Sequence, residues 1–284
     1  MKFLNCFAMN RPITVTKRLA PALLAGVTLL VAGQAARSDE NLWSKAITGC
    51  GTVISRPGHY FLANDLTQCP GAGISITVSS VSIDLRGHII QVTGGTGASA
   101  IDAPGGDNGL RNLEIAGPGT LTGGLTGINF GNVHNSRVHD VTMVQNSFGM
   151  AVNSGDFTSD TTATATVSAN NEIFDNVITA NNGHGITVNG GNKNLFFRNN
   201  VSGNNNGGVG LLLYAAQDNF AHDNTADANS GWGIYIAAQG SGNKVEHNTA
   251  FGNSNADLND QNGDCTHNTW AGNSFVSNSP ACLQ

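Results

Sequence analysis

The chain has 284 residues, of which only 11% are charged and 6% aromatic, with 37 glycines, 7 prolines and a formal net charge of −6. Glycine costs about 1 kcal/mol per helix-interior position, and asparagine, frequent from position 129 onward, bonds to nearby backbone, so long helices are excluded from the second half. A 39% hydrophobic content excludes general disorder, and an acidic chain without a Lys/Arg cluster argues against a nucleic-acid partner.

Residues 1–35 read as a secretory signal peptide: Lys2, Arg11, Lys17 and Arg18 without any acid, then the apolar run Leu19 to Gly33. Gly33 and Ala35 occupy the small-residue positions of a cut after Ala35, and a cut after Ala36 fits almost as well. An uncleaved anchor is the alternative, but Pro21, Gly26 and Gly33 interrupt a run barely long enough to span. Residues 36–49 read as a linker, and no transmembrane segment follows the leader. The leader holds four of the 13 basic residues and none of the 19 acids, so its removal takes the net charge from −6 to −10. A polyanionic partner would then need a basic groove or a bound cation. Calcium is compatible with such a role, although no ligand cluster stands out.

Cys50, Cys69, Cys265 and Cys282 remain after cleavage, an even number in an exported chain, which points to disulfides and to a secreted or periplasmic location. Of three possible connectivities the two close pairs favour Cys50–Cys69 and Cys265–Cys282, each closing a loop worth about 3 kcal/mol. Neither pair has the C-x-x-C spacing of a zinc ribbon.

Past Cys50, Ile74-Ser75-Ile76-Thr77-Val78 and Val81-Ser82-Ile83-Asp84-Leu85 alternate apolar and polar residues with the period of a half-buried strand. From Ile128 the chain repeats, each unit opening on a triplet: Ile128-Asn129-Phe130, Met150-Ala151-Val152, Ile186-Thr187-Val188, Leu211-Leu212-Leu213 and Ile234-Tyr235-Ile236. Glycine precedes each triplet, and Gly149, Gly185, Gly210 and Gly233 are expected in backbone conformations that other residues avoid. A second strand and an asparagine follow: Val138 to Val141 before Asn146, Ile173 to Asn176 before Asn181, Phe197 to Asn200 before Asn205, and Val245 to Asn248 before Asn253. Such units, with short strands and no helix, cannot bury a face alone, so they are expected to stack as parallel coils with asparagines laddered from turn to turn. The leucines and helical side of a leucine-rich repeat are missing, and propeller blades need more strands per unit. The predicted fold is an all-β, right-handed parallel β-helix over residues 50–284.

The stretch Cys50-Gly51-Thr52-Val53-Ile54, Gly58-His59-Tyr60-Phe61-Leu62, Ile83-Asp84-Leu85-Arg86-Gly87-His88, the asparagine-rich coils and Cys265-Thr266-His267-Asn268-Thr269-Trp270 carry a resemblance. The chain resembles secreted bacterial β-helix-repeat proteins of the pectate-lyase-like superfamily over residues 50 to 282. The resemblance implies a solenoid that cleaves, epimerises or binds polysaccharide. Of the enzyme motifs in that group, only Gly183-His184-Gly185 of the polygalacturonase-like pattern is present, and the Asp-Pro-His and Arg-x-Pro-x-x-Arg elements are absent.

Asp140 and Asp175 fall at matching places in neighbouring coils, as a paired acid and base for glycoside cleavage or as turn caps. Beside them the repeat aligns His139, Phe174, Arg198, Ala221 and Glu246 in a column, where His139 is a candidate base and Arg198 an anchor for a sugar carboxylate. His184 joins this catalytic set, and His222 and His247 align without a third metal ligand. Tyr214, Trp232 and Tyr235 cluster in coils following His184 and Arg198, forming a candidate sugar-binding platform. Residues 155–168 form an insertion of the kind that borders binding faces in solenoids. Two readings follow: a secreted lyase or hydrolase using His139, Asp140, Asp175, His184 and Arg198, or a non-catalytic carbohydrate-binding or surface-structural protein.

Overall fold

The computed structural model describes residues 44–93, 97–153, 167–263 and 265–283. The leader, residues 36–43 of the linker and residues 155–166 of the insertion lie outside the described residues. Among those described, no helix is long and apolar enough to cross a membrane. The strands form two long parallel sheets. The first starts at Lys45–Ile47, runs through Gly58–Leu62, Val81–Asp84, Leu113–Thr122, Arg137–Val144, Glu172–Phe174, Leu195–Phe197, Phe220–His222 and Lys244–Glu246, and ends at Thr269–Ala271. The second has ten strands, from Thr52–Ile54 to Asn278–Ser279. The chain alternates between them, one coil after another, in the expected right-handed parallel β-helix. The solenoid begins ahead of Cys50, because Lys45–Ile47 pairs with Tyr60 to Leu62.

Period-two alternation builds the core. On the first sheet Ile83, Ile115, Val138, Ile173, Phe196, Ala221 and Val245 stack in one inward column, all buried. The second sheet contributes Ile101, Ile128, Met150, Ile186, Leu211, Ile234 and Leu258, in the register expected from the triplets. Each large aliphatic buried this way stabilises by roughly 1.5–3 kcal/mol relative to exposure. Phe196 is followed by Ala221, so a bulky residue in one coil is offset by a small one in the next.

Three asparagine ladders close the corners: Asn171 to Asn268, Asn176 to Asn273, and Asn146 to Asn253. In the second, Asn176, Asn199, Asn224 and Asn248 each donate an amide N–H to the Oδ1 of the next coil's asparagine at 2.9–3.0 Å. The same oxygens accept the preceding coil's backbone N–H. Buried amides are thereby paired on both sides, which an interior requires. The third ladder passes through Asn204, whereas the repeat placed Asn205 there.

One expectation is corrected by the backbone. Gly149, Gly185, Gly210 and Gly233 are not at positive φ. They are glycine because coils approach closely: a Cβ on Gly185 would stand 2.6 Å from the Gly210 carbonyl oxygen, and one on Gly210 equally near that of Gly233. Left-handed positions instead include the corner residues Asp140, Asp175, Arg198, Asp223 and His247, with φ of 53–58°. Disulfides join Cys50 to Cys69 and Cys265 to Cys282 as expected, with Cα–Cα distances of 5.3 and 6.2 Å.

Candidate functional site

The outward residues of the first sheet form two columns beside the corner. Strand pairing sets His139, Phe174, Phe197, His222 and Glu246 in one. The alignment expected from sequence was one residue out here. Phe197, not Arg198, follows Phe174, and His222 takes the place assigned to Ala221, which is core. His222 consequently matches Glu246, so His222 and His247 do not align.

The four rings form a continuous stack. His139–Phe174, Phe174–Phe197 and Phe197–His222 centroids are 4.9, 4.8 and 5.3 Å apart, with planes within 11° of parallel. The spacing follows the rise from coil to coil, which parallel strand pairing sets at about 4.8 Å. All four are half-buried.

Charged and amide groups flank this stack. On the corner side, His139 Nδ1–H donates to Asp140 at 2.8 Å, and His222 Nδ1–H donates to Asp223 at the same distance. Between them, Arg198 grips Asp175 through two bonds of 2.8 and 2.6 Å and lies over the Phe197 ring at 4.5 Å. The Arg198 guanidinium holds the Asp175 carboxyl below its ordinary value, and Asp175 raises Arg198 in return. On the other side, Glu114, Arg137 and Glu172 form an outward row, with Arg137 Nε donating to Glu172 at 2.8 Å. Together with Asn112, Asn135 and Asn170 they line an open groove of about 420 Å³.

Four expected catalytic residues, His139, Asp140, Asp175 and Arg198, therefore share this face and its corner. His139 is oriented by Asp140, with Nε2 3.7 Å from a Glu114 oxygen, an arrangement able to accept a proton at Nε2. Arg198 is engaged by Asp175 and does not offer a free cation to a substrate carboxylate.

His184 lies elsewhere, at the corner entering the second sheet, 5.6 Å from the Phe148 ring. Its Nδ1 accepts the Val209 N–H at 3.0 Å, which leaves the proton on Nε2 and makes the ring a donor rather than a base. The flanking glycines have packing reasons. A Cβ on Gly183 would meet the Ser147 carbonyl oxygen at 2.7 Å, and one on Gly185 the oxygen of Gly210. Tyr214, Trp232 and Tyr235 belong to the second sheet, so one glycan along one face does not meet both them and Arg198. Trp232 and Tyr235 rings are 4.6 Å apart, Tyr235 Oη–H donates to Gln261, and burial raises the Tyr235 phenol. Phe197 as a site residue, Asp223 and the asparagine groove escaped the sequence reading, which considered His222 only beside His247.

The fold defines the class, a right-handed parallel β-helix. The profile of the family described as "Periplasmic copper-binding protein (NosD)" matches residues 44–279, and the chain belongs to that family. A mutant form of the periplasmic alginate epimerase AlgG is similar at 17% identity and a TM-score of 0.50, covering 78% of this chain and 50% of that one. This chain thus spans half the length of that enzyme. An alginate lyase from Paenibacillus sp. is similar at 15% identity, with a TM-score of 0.49 and coverage of 84% and 97%. At these identities the likeness concerns the fold alone. No curated protein matches.

The family's description names copper, which calls for a cluster of soft or imidazole ligands. Among the described residues, no three of His, Cys, Asp or Glu converge on one point, and Cys50, Cys69, Cys265 and Cys282 are tied in disulfides. The soft ligands that favour copper are thus engaged and cannot serve as thiolates, and Met143 and Met150 are buried in the core. The described residues do not fit a copper centre.

Proposed function

We propose that the protein is an exported, glycan-binding β-helix, with an extended uncharged polysaccharide lying along the outer face of the first sheet. The observation that carries this reading is the half-exposed ring row His139–Phe174–Phe197–His222, bordered by the asparagine groove and by the Asp140 to Asp223 corner. Half-buried aromatic rings suit the apolar C–H patches of sugars, and the flanking amides and carboxylates suit hydroxyls. An uncharged ligand fits better than a polyuronate, because Arg137 and Arg198 are already paired with carboxylates and Asp140, Asp223 and Glu114 add negative charge. Export is supported by the leader, by both disulfides and by the periplasmic description of the family.

The test is a retention assay of the mature chain on insoluble uncharged polysaccharides and on a polyuronate gel, alongside a reducing-end assay. Retention on an uncharged polymer is expected, reduced about tenfold by Phe197→Ala, the equivalent of about 1.4 kcal/mol. Preferential retention on polyuronate would overturn the reading. Loss of retention in Trp232→Ala, with Phe197→Ala unaffected, would move the ligand to Tyr214, Trp232 and Tyr235. A processing activity is the second reading, favoured by the His139–Asp140 pair with Asp175 in the next coil. It requires released reducing or unsaturated ends that disappear in His139→Ala while retention persists.

A further inference from the structure

The corner that leads into the second sheet carries another groove, of about 390 Å³, lined by Gln145, Asn146, Ser147, Asn182 and Asn205 over two glycines and an alanine. None of its lining residues is charged. An anion would find no cation there and a cation no carboxylate, whereas a ligand bearing hydroxyls would find amides that both donate and accept. Gln145, Asn182 and Asn205 are exposed, and the Asn182 Oδ1 already accepts from the Asn206 amide.

Two rings stand next to the groove along the chain. Phe148 follows Ser147 and His184 lies two residues beyond Asn182, with ring centroids 5.6 Å apart. Gly183 lets them meet, since a Cβ there would stand 3.2 Å from the Phe148 ring. His184 accepts the Val209 N–H through Nδ1, so its Nε2–H is a fixed donor. Burial pushes the His184 imidazolium down, which keeps the ring neutral near pH 7 and the groove without charge.

We propose that this groove is a second glycan-binding subsite, taking one uncharged sugar residue against Phe148 and His184 with its hydroxyls on Gln145, Ser147, Asn182 and Asn205. This groove shares no lining residue with the groove on the first sheet. A chain with both sites would hold two glycan strands, or two stretches of one, and gain avidity where both engage.

The test uses the full mature chain and NMR amide shifts, with uncharged gluco-, manno-, xylo- and galacto-hexasaccharides as probes and a uronic-acid hexasaccharide for comparison. At least one uncharged probe is expected to shift Ser147, Asn182 and His184. Asn205→Trp, which fills the groove from an exposed position, should weaken those shifts at least tenfold and leave any at Phe174 and Phe197 unchanged. Asn182→Ala should weaken them in the same direction without added bulk, which covers the case of a misfolded tryptophan variant. Shifts confined to Phe174 and Phe197, no groove shift with any uncharged probe, or equal groove shifts with the uronic-acid probe would each overturn the proposal. Groove shifts with silent Phe174 and Phe197 would support it while removing the first-sheet reading.

Discussion

Glycine occurs in this chain for two different physical reasons, and substitution separates them. Gly207 has φ of +74°, and a Cβ added there would meet nothing within 4 Å, so its constraint is backbone conformation alone. Gly210 is free of that constraint, but a Cβ there would stand 2.6 Å from the Gly233 oxygen and 2.8 Å from that of Val201. Asparagine tolerates the left-handed region, as Asn132, Asn135 and Asn206 do in this chain. Gly207→Asn is therefore expected to cost well under 1 kcal/mol, while Gly210→Asn, forcing two coils apart, should cost about 1–3 kcal/mol or more. Urea melts of the two variants provide the check, and equal losses would contradict the assigned causes. The same residue-scale logic explains Gly183-His184-Gly185, where close packing on both sides accounts for the motif without any catalytic role.

Ladders are directional elements, and their ends reveal how they are satisfied. Each asparagine donates toward the C-terminal coil, so the last rung needs an acceptor that has nothing further to donate to. In two of the ladders a carboxylate supplies it: Asn253 Nδ2–H donates to Asp257 Oδ1 at 2.9 Å, and Asn268 Nδ2–H donates to Asp260 Oδ2 at 3.0 Å. Burial alone would raise the Asp257 carboxyl, but bonds from the Asn253 amide and backbone, Val276 N–H and Ser277 N–H outweigh it and hold the group below its ordinary value. A carboxylate depressed in the folded state stabilises fully above its unfolded value of about 3.9, and that contribution is lost as pH falls through the lower folded value. Asp257→Asn would turn an amide N–H toward the Val276 and Ser277 donors, an expected loss of about 1–3 kcal/mol at pH 7, and should flatten this part of the acid limb in pH-dependent denaturation. The sequence showed the triplet strands in correct register because aliphatic alternation after glycine leaves one choice of inward face. It misread the coil at Arg198 because Phe196 and Phe197 are both apolar and alternation cannot decide between them; the deciding fact is the small Ala221 in the next coil. Doubled amides, Asn204 beside Asn205, hid the ladder in the same way. One residue of slip was enough to conceal the ring stack, since it exchanges Phe197 for Arg198 and His222 for Ala221.

At the scale of the whole molecule, stability is a sum of coils and coil-to-coil interfaces, so the ends are where unfolding starts. Both disulfides are placed there, with sequence separations of 19 and 17 residues, and a separation of this size corresponds to about 3 kcal/mol of loop-closure entropy removed from the unfolded chain. The middle of the solenoid has neither staple and relies on the buried columns and the three ladders, which run through Asn171 to Asn253 without interruption. Reduction should therefore act locally. Hydrogen exchange of the reduced mature chain is expected to show lost protection in Thr52–Ile54 and Leu66–Cys69 at one end and Thr269–Ala271 and Asn278–Ser279 at the other. Ile186–Asn189, Leu195–Phe197 and Leu211–Tyr214 should keep their slow exchange, because each is paired with a coil on both sides. Both proposed glycan surfaces lie in those central coils, so sugar binding should survive reduction even as the melting temperature falls. A uniform loss of protection along the chain would show instead that the solenoid unfolds as one cooperative body and that its end staples stabilise every coil alike.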